Sequence, residues 1–276
     1  MANGSYKDLL VTVSGDGKIG YIKINRPGSL NSLTPDTNLE FARALADLSA
    51  HPTTVVTVLT GVGRFFSSGA DVRASRAVPD LPTDVEKKVS RYSAFASTVE
   101  YQRQLIHHPK LLVIALNGPA VGVAAAWTGF ADILLVSDSA TLHVPFSSLG
   151  LVPEAGAGVA FVQGMGLRLA TEVLTLGRKL TASELISSGF ANRVFPSATF
   201  EADVEKYLED ALKENDEGSV LVGKKLIAQP LIPSRMAAVT EANNELMERY
   251  LTGVPAKRFQ AKAAELAAKR KSKGKL

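Results

Sequence analysis

The sequence predicts an α/β fold with a parallel sheet and a mainly helical last third, on three observations. Short β-rich runs alternate with helical apolar stripes as far as residue 136, the pattern of strand–helix–strand crossovers. Beyond about residue 160 the pattern becomes helix after helix, interrupted by a short strand at Arg193–Phe195. The chain has 276 residues, 46% of them hydrophobic, which is enough for a substantial core.

Each element has a local reason. Leu9–Ser14 and Ile19–Ile24 are joined by Gly15-Asp16-Gly17-Lys18, which reads as a hairpin. Thr34 caps a helix whose first turn accepts Pro35, and Leu39, Ala42, Leu45, Ala46 and Leu48 form its apolar stripe through Ala50. A buried strand follows at Thr54–Thr60, then a helix around Val89–Ile106, a strand at Leu111–Leu116, a helix near Val123–Phe130 and a strand at Ile133–Val136. Thr181 and Glu184 have capping-box spacing. Pro230 and Pro233 mark a break before a helix at Ser234–Tyr250, and Gly253 with Pro255 separates a final helix. The expected division is a core at 1–200 and a semi-detached helical region at 201–276.

Composition narrows the chemistry. The absence of cysteine excludes disulfides, thiolate metal ligands and a cysteine nucleophile. No stretch approaches the roughly 20 apolar residues of a membrane span, and Met1–Asp8 lacks the apolar segment of an export signal. The net charge of +4 comes largely from Lys257, Arg258, Lys262 and the lysines and arginine at 269–275. That end reads as a solvated basic face, with nucleic acid, anionic lipid or a phosphorylated ligand as the alternatives. His107-His108 precede Pro109 and a strand and read as a loop feature rather than a metal pair.

Glu154 is the acid that stands out, alone between Asp138 and Glu172 in the run Leu151-Val152-Pro153-Glu154-Ala155-Gly156-Ala157-Gly158. Apolar surroundings disfavour a carboxylate and raise its pKa toward the range useful to a general base. The competing reading is a first-turn acid in a helix opened by Pro153. Two loops have the small residues that let a backbone approach a ligand: Gly63–Val72 after one strand, and Asn117–Ala126, where another strand ends and an alanine-rich helix begins.

Asn25-Arg26-Pro27, Phe66-Ser67-Ser68-Gly69-Ala70-Asp71, Asn117-Gly118-Pro119-Ala120-Val121-Gly122 and Gly150-Leu151-Val152-Pro153-Glu154 together resemble, in order and spacing, the crotonase (enoyl-CoA hydratase/isomerase) superfamily. The resemblance covers nearly the whole chain and implies a crotonase-like spiral of ββα units with a C-terminal helical layer. It implies that the amides of Ala70 and Val123 hold the thioester oxygen of an acyl-CoA. It also implies substrate contacts from Ser29, Leu30, Ser68, Gly69, Asp71, Val72, Gly122, Ala126 and Phe146, with Asp71 holding its loop rather than reacting. Two amide donors fixed on that oxygen stabilise an enolate more than the neutral thioester.

The family's hydratases activate water with two glutamates, and motif alignment places those positions at Ala126 and Phe146. Neither side chain moves a proton. The acid falls instead at Glu154, a placement that resembles peroxisomal-type Δ3,Δ2-enoyl-CoA isomerases. One carboxylate suffices to carry a proton from C2 to C4, so Glu154 is expected to act alone, with Phe146, Val123, Ala126 and Trp127 keeping the acyl pocket poor in water. No metal or redox cofactor is expected, CoA being part of the substrate. Other acyl-CoA chemistry on the same amides, dienoyl-CoA isomerisation or hydrolysis, and a non-catalytic RNA- or protein-binding role are the alternatives. The resemblance further implies a homotrimer or hexamer, in which the last helix can bring Lys257, Arg258 or Lys262 to a neighbouring subunit's CoA. Gly274-Lys275-Leu276 shares its last two residues with the Ser-Lys-Leu address of peroxisomal proteins and departs from it at Gly274. The expected location is peroxisomal, and otherwise cytoplasmic or mitochondrial.

Overall fold

The computed structural model of the chain describes residues 6–71 and 80–273, with side chains to 268. β1 (Leu9–Val13) and β2 (Ile19–Ile24) form an antiparallel hairpin. Its turn is held by Asp16, which accepts from the Ser14 hydroxyl at 2.5 Å and the Lys18 amide at 3.0 Å. α1 (Pro35–Ala50) begins where Thr34 Oγ1 accepts the Thr37 amide at 3.2 Å, and it buries Phe41, Ala44, Leu45 and Leu48. β3 (Val56–Gly61), α2 (Asp84–Ile106) and β4 (Leu111–Leu116) then complete a parallel crossover beside β2.

α2 starts five residues before the expected Val89. Thr83 and Glu86 form a reciprocal capping box there, and that signal outweighs the polar composition of the first turns. Further on, β5 (Ala120–Val121), α3 (Val123–Ala126), β6 (Ile133–Ser137) and β7 (Thr141–His143) follow within a few residues of one another. The expected helix at Val123–Phe130 is one α turn continued as a 3₁₀ turn over Trp127–Phe130. α4 (Ala157–Met165), α5 (Leu167–Leu176), β8 (Leu180–Thr181), α6 (Ala182–Ser187) and β9 (Arg193–Phe195) come next. α7 (Phe200–Glu214), α8 (Glu217–Ala228), α9 (Ile232–Leu251) and α10 (Val254–Lys273) end the chain.

The strands make a six-stranded sheet in the order β1-β2-β3-β4-β6-β9, parallel except for the hairpin, and a small sheet β5-β7-β8. One face of the large sheet buries Leu59, Leu112, Ile114 and Leu116 with α1 and α2. The other buries Val56, Val58, Val113 and Leu135 beneath Phe200, Val204, Leu208 and Leu212 of α7. Such double coverage suits strands that are apolar on both faces. α9, expected as semi-detached, is seated on α2 and α4: Val239, Leu246, Met247 and Tyr250 are all buried, and Arg249 Nε donates to the Gly150 carbonyl at 3.1 Å. β3 and β4 are adjacent and parallel, so the loops that follow them emerge at the same edge of the sheet, where ligands of open α/β sheets commonly sit.

Candidate active site

The two loops are bonded to each other before either meets a ligand. Phe66 and Ser67 donate their amides to the Pro119 carbonyl at 3.1 and 3.3 Å, and Val121 returns its amide to the Ser67 carbonyl at 2.9 Å. Asn117 ties the strand ends together, accepting the Gly61 amide at 3.1 Å and donating to the Gly63 carbonyl at 2.7 Å. Ser67 adds an internal brace: its hydroxyl donates to the Asn31 carbonyl at 2.7 Å and accepts the Gly69 amide at 3.1 Å.

This lattice aims the Ala70 amide. Leu33 donates to the Gly69 carbonyl and accepts from the Asp71 amide, each at 2.9 Å, in a parallel bridge centred on Ala70. The Ala70 N–H therefore points away from Leu33. Val123 is the first residue of α3, preceded by Gly122 at φ 63° and ψ −134°, which offers no side-chain cap. Among the described residues neither the Ala70 nor the Val123 amide donates to another backbone group.

A cavity of about 850 Å³ opens where these amides lie. Ser68, Gly69, Ala70, Gly122 and Val123 form one wall, and Phe146 and Glu154 are also part of its lining. Glu154 sits in the turn before α4, whose N-cap is Gly156, and its carbonyl accepts the Ala157 amide at 3.1 Å. It is thus outside the first turn of α4, which has no acidic residue, and the helix-opening role considered for Pro153 and Glu154 is corrected: Gly156 and Ala155, both at positive φ, turn the chain before the helix begins.

The other expected contacts divide. Ser29 and Leu30 back Ser68 rather than line the cavity, Leu30 accepting the Ser68 amide at 2.9 Å. Asp71 is buried and anchors its loop through its backbone, outside the cavity lining. Ala126 and Trp127 do not line it either: α3 runs from the cavity wall into the core, leaving its last residue and the indole fully buried. Trp127 donates its Nε1–H to the Tyr101 hydroxyl at 3.2 Å and packs on Phe41. Val72 and Gly274-Lys275-Leu276 lie outside the described residues.

The sequence reading missed the groups that α2, α9 and α10 bring. Arg91, Phe95 and Tyr101 of α2 and Tyr250 of α9 line the cavity, with the Arg91 guanidinium 4.1 Å from the Tyr250 ring centroid. Arg258, Phe259 and Lys262 of α10 line the same chain's cavity, although the resemblance allowed them to serve a neighbour. His143 lies beside them, its pKa lowered first by burial and then, against a hydrogen bond to Gly177, by the charges of Lys179 and Lys262. Helix spacing at Arg91, Phe95 and Thr98 was available as a signal, but nothing local distinguishes a cavity-facing stripe from a core-facing one.

The sequence model of the enoyl-CoA hydratase/isomerase family matches residues 14–266. The chain belongs to this family. It is 36% identical over 265 residues to the Delta(3,5)-Delta(2,4)-dienoyl-CoA isomerase of Pyricularia oryzae, covering 91% of this chain and 95% of that protein. It is 35% identical over 245 residues to enoyl-CoA delta isomerase 2 of Homo sapiens, covering 89% of this chain and 60% of that longer protein. With the mouse protein named enoyl-CoA delta isomerase 3, peroxisomal, identity is 38% over 198 residues, 72% of this chain and 60% of that one. Among solved structures, an enoyl-CoA hydratase/isomerase from Pseudoalteromonas atlantica superposes with a TM-score of 0.80 at 24% identity, covering 94% of this chain and 98% of that one. An enoyl-CoA hydratase from Bacillus halodurans gives a TM-score of 0.81 at 18% identity, covering 92% of this chain and all of that one. These superpositions establish the crotonase-like fold, and the family places acyl-CoA chemistry on it.

Proposed function

We propose that the chain is an enoyl-CoA isomerase that converts 3-enoyl-CoA to trans-2-enoyl-CoA, with Glu154 as the proton carrier and the amides of Ala70 and Val123 as the oxyanion hole. The observation that supports this most is that one cavity contains Glu154 and both amides, while the positions matched to a hydratase's glutamates are Ala126, buried in the core, and Phe146. The Glu154 carboxylate removes a proton from C2. The electron pair of that C–H bond moves into the C2–C1 region, charge gathers on the thioester oxygen, and the two amides stabilise it. The same carboxyl group then returns the proton at C4 as the double bond forms between C2 and C3. Atoms and charge balance without water or a second acid.

Incubation with trans-3-hexenoyl-CoA, read by the absorbance of the conjugated product, tests the reading. Glu154→Gln lowers turnover by about 10²–10⁴-fold and keeps acyl-CoA binding. Undiminished turnover in that variant overturns the assignment. The end-to-end match to a dienoyl-CoA isomerase supports a second reading, the shift of a 3,5-diene to a 2,4-diene, which requires proton delivery further along the chain. A higher kcat/KM on a 3,5-dienoyl-CoA than on the monoene selects it. Substrate contacts from Ser68, Gly69, Gly122 and Phe146, assembly as a trimer or pair of trimers, and a peroxisomal site of action belong to the same proposal. The mouse relative's name supports the location.

A further inference from the structure

Tyr101 is a phenol for which the chemistry above has no use, and its surroundings fix it tightly. It is 0% exposed and still forms part of the cavity wall with Glu154. Its oxygen accepts the Trp127 indole N–H at 3.2 Å, and its ring packs edge-on against Trp127 and Phe41 at centroid distances of 5.1 and 5.9 Å. Those contacts set the ring and occupy the acceptor side of the hydroxyl. The Gln102 side chain also bonds the phenol, in the sense that lowers its pKa and so as a donor, which leaves the hydroxyl hydrogen for another acceptor. A buried O–H in that condition is costly unless something else in the cavity accepts it. Burial, and then the negative charge of Glu154, push the phenol's pKa well above its ordinary value, so it keeps its proton at any working pH.

We propose that Tyr101 is a positioning residue for the base: once substrate has displaced water from the cavity, its hydroxyl donates to the Glu154 carboxylate, orients it toward the acyl chain and favours its ionised form. Hydrogen bonds of this kind commonly tighten only in the substrate complex. The inference rests on Glu154 being the proton carrier. Glu154 also shares the cavity with Arg91 of α2, His143 of β7, Tyr250 of α9, and Arg258, Lys262 and Glu265 of α10. Tyr101→Phe leaves all of these in place, so a difference between the two proteins reports the hydroxyl alone.

The test has two readouts on the full chain. In trans-3-hexenoyl-CoA turnover, Tyr101→Phe is expected to lower kcat about tenfold with little change in KM. The acid limb of its pH profile rises by roughly one unit, because the carboxylate has lost a donor. Separately, the Glu154 carboxyl carbon is titrated by NMR in isotope-labelled protein saturated with hexanoyl-CoA and assigned by its loss in Glu154→Gln. Its midpoint rises in Tyr101→Phe. An unchanged titration overturns the proposal, as does a change in KM alone. Wild-type protein that fails to isomerise the monoene refutes the isomerase reading, and the titration still decides the role of the hydroxyl. If Tyr101→Phe folds poorly because the indole N–H is stranded, the double variant Tyr101→Phe/Trp127→Phe removes donor and acceptor together, and its comparison with Trp127→Phe alone reports the hydroxyl.

Discussion

Gly69 shows how narrowly the backbone of the site is specified. Its φ is +80°, and a Cβ there would stand 2.6 Å from the Val121 carbonyl oxygen, inside any real contact. An added methyl must therefore separate the two loops, and the first group displaced is the neighbouring Ala70 amide. Losing one oxyanion donor typically costs about 10²–10³-fold in kcat. Gly69→Ala is accordingly expected to lower kcat on trans-3-hexenoyl-CoA by about 10²-fold, with circular dichroism unchanged. Wild-type kcat in this variant would rule out the proposed role of the Ala70 amide as an oxyanion donor. At the same scale Glu154 was legible in the sequence because it is an isolated acid in an apolar run. Tyr101 and Arg91 were not: an aromatic and a cation on a long helix look the same whether they face a cavity, the core or solvent.

At the scale of elements, the sequence marked what local chemistry determines. The bounds of β2, α1, β4 and β9 coincide with the expected ones, since hairpin turn, N-cap and proline signals sit beside them. β5, β7 and β8 went unread because each is two or three residues long and exists through pairing with distant chain rather than through its own pattern. The seating of α8 was equally hidden. Lys224, only 6% exposed at its side chain, pairs with Asp132, which also accepts the Leu112 amide at 2.7 Å and so joins the helix to the start of β4. Removing one member of a buried pair leaves the other charge uncompensated, at about 3–5 kcal/mol. Lys224→Met is expected to lower unfolding free energy by about 3 kcal/mol, seen as a reduced denaturant midpoint at constant slope. A loss below about 0.5 kcal/mol, the size of an exposed pair, would show that this contact does not hold α8.

For the whole molecule, the group that ties helices to sheet is His108, and it gives stability a definite dependence on pH. It is 2% exposed, with Nδ1 3.0 Å from Ser49 Oγ of α1 and Nε2 2.8 Å from Thr57 Oγ1 of β3. Two hydroxyls, each able to donate or accept, satisfy a neutral imidazole in either tautomer. A second ring proton would instead put a cation in the interior beside Lys224 and Lys110. Burial first, then those two charges, lower its pKa from 6.5 to about 3. The folded state therefore refuses a proton that the unfolded chain binds below about pH 6.5, and stability falls as pH drops through that interval toward about pH 3. One such proton gives a slope of about 1.4 kcal/mol per pH unit. Replacing His108 by Gln keeps polar contact with both hydroxyls and cannot titrate, so chemical denaturation of the two proteins across this range separates the histidine from the carboxylates that also protonate there. The wild type should lose stability more steeply than His108→Gln by about one proton's slope, and parallel curves would show that the imidazole is protonated in the folded state or does not titrate differently on unfolding.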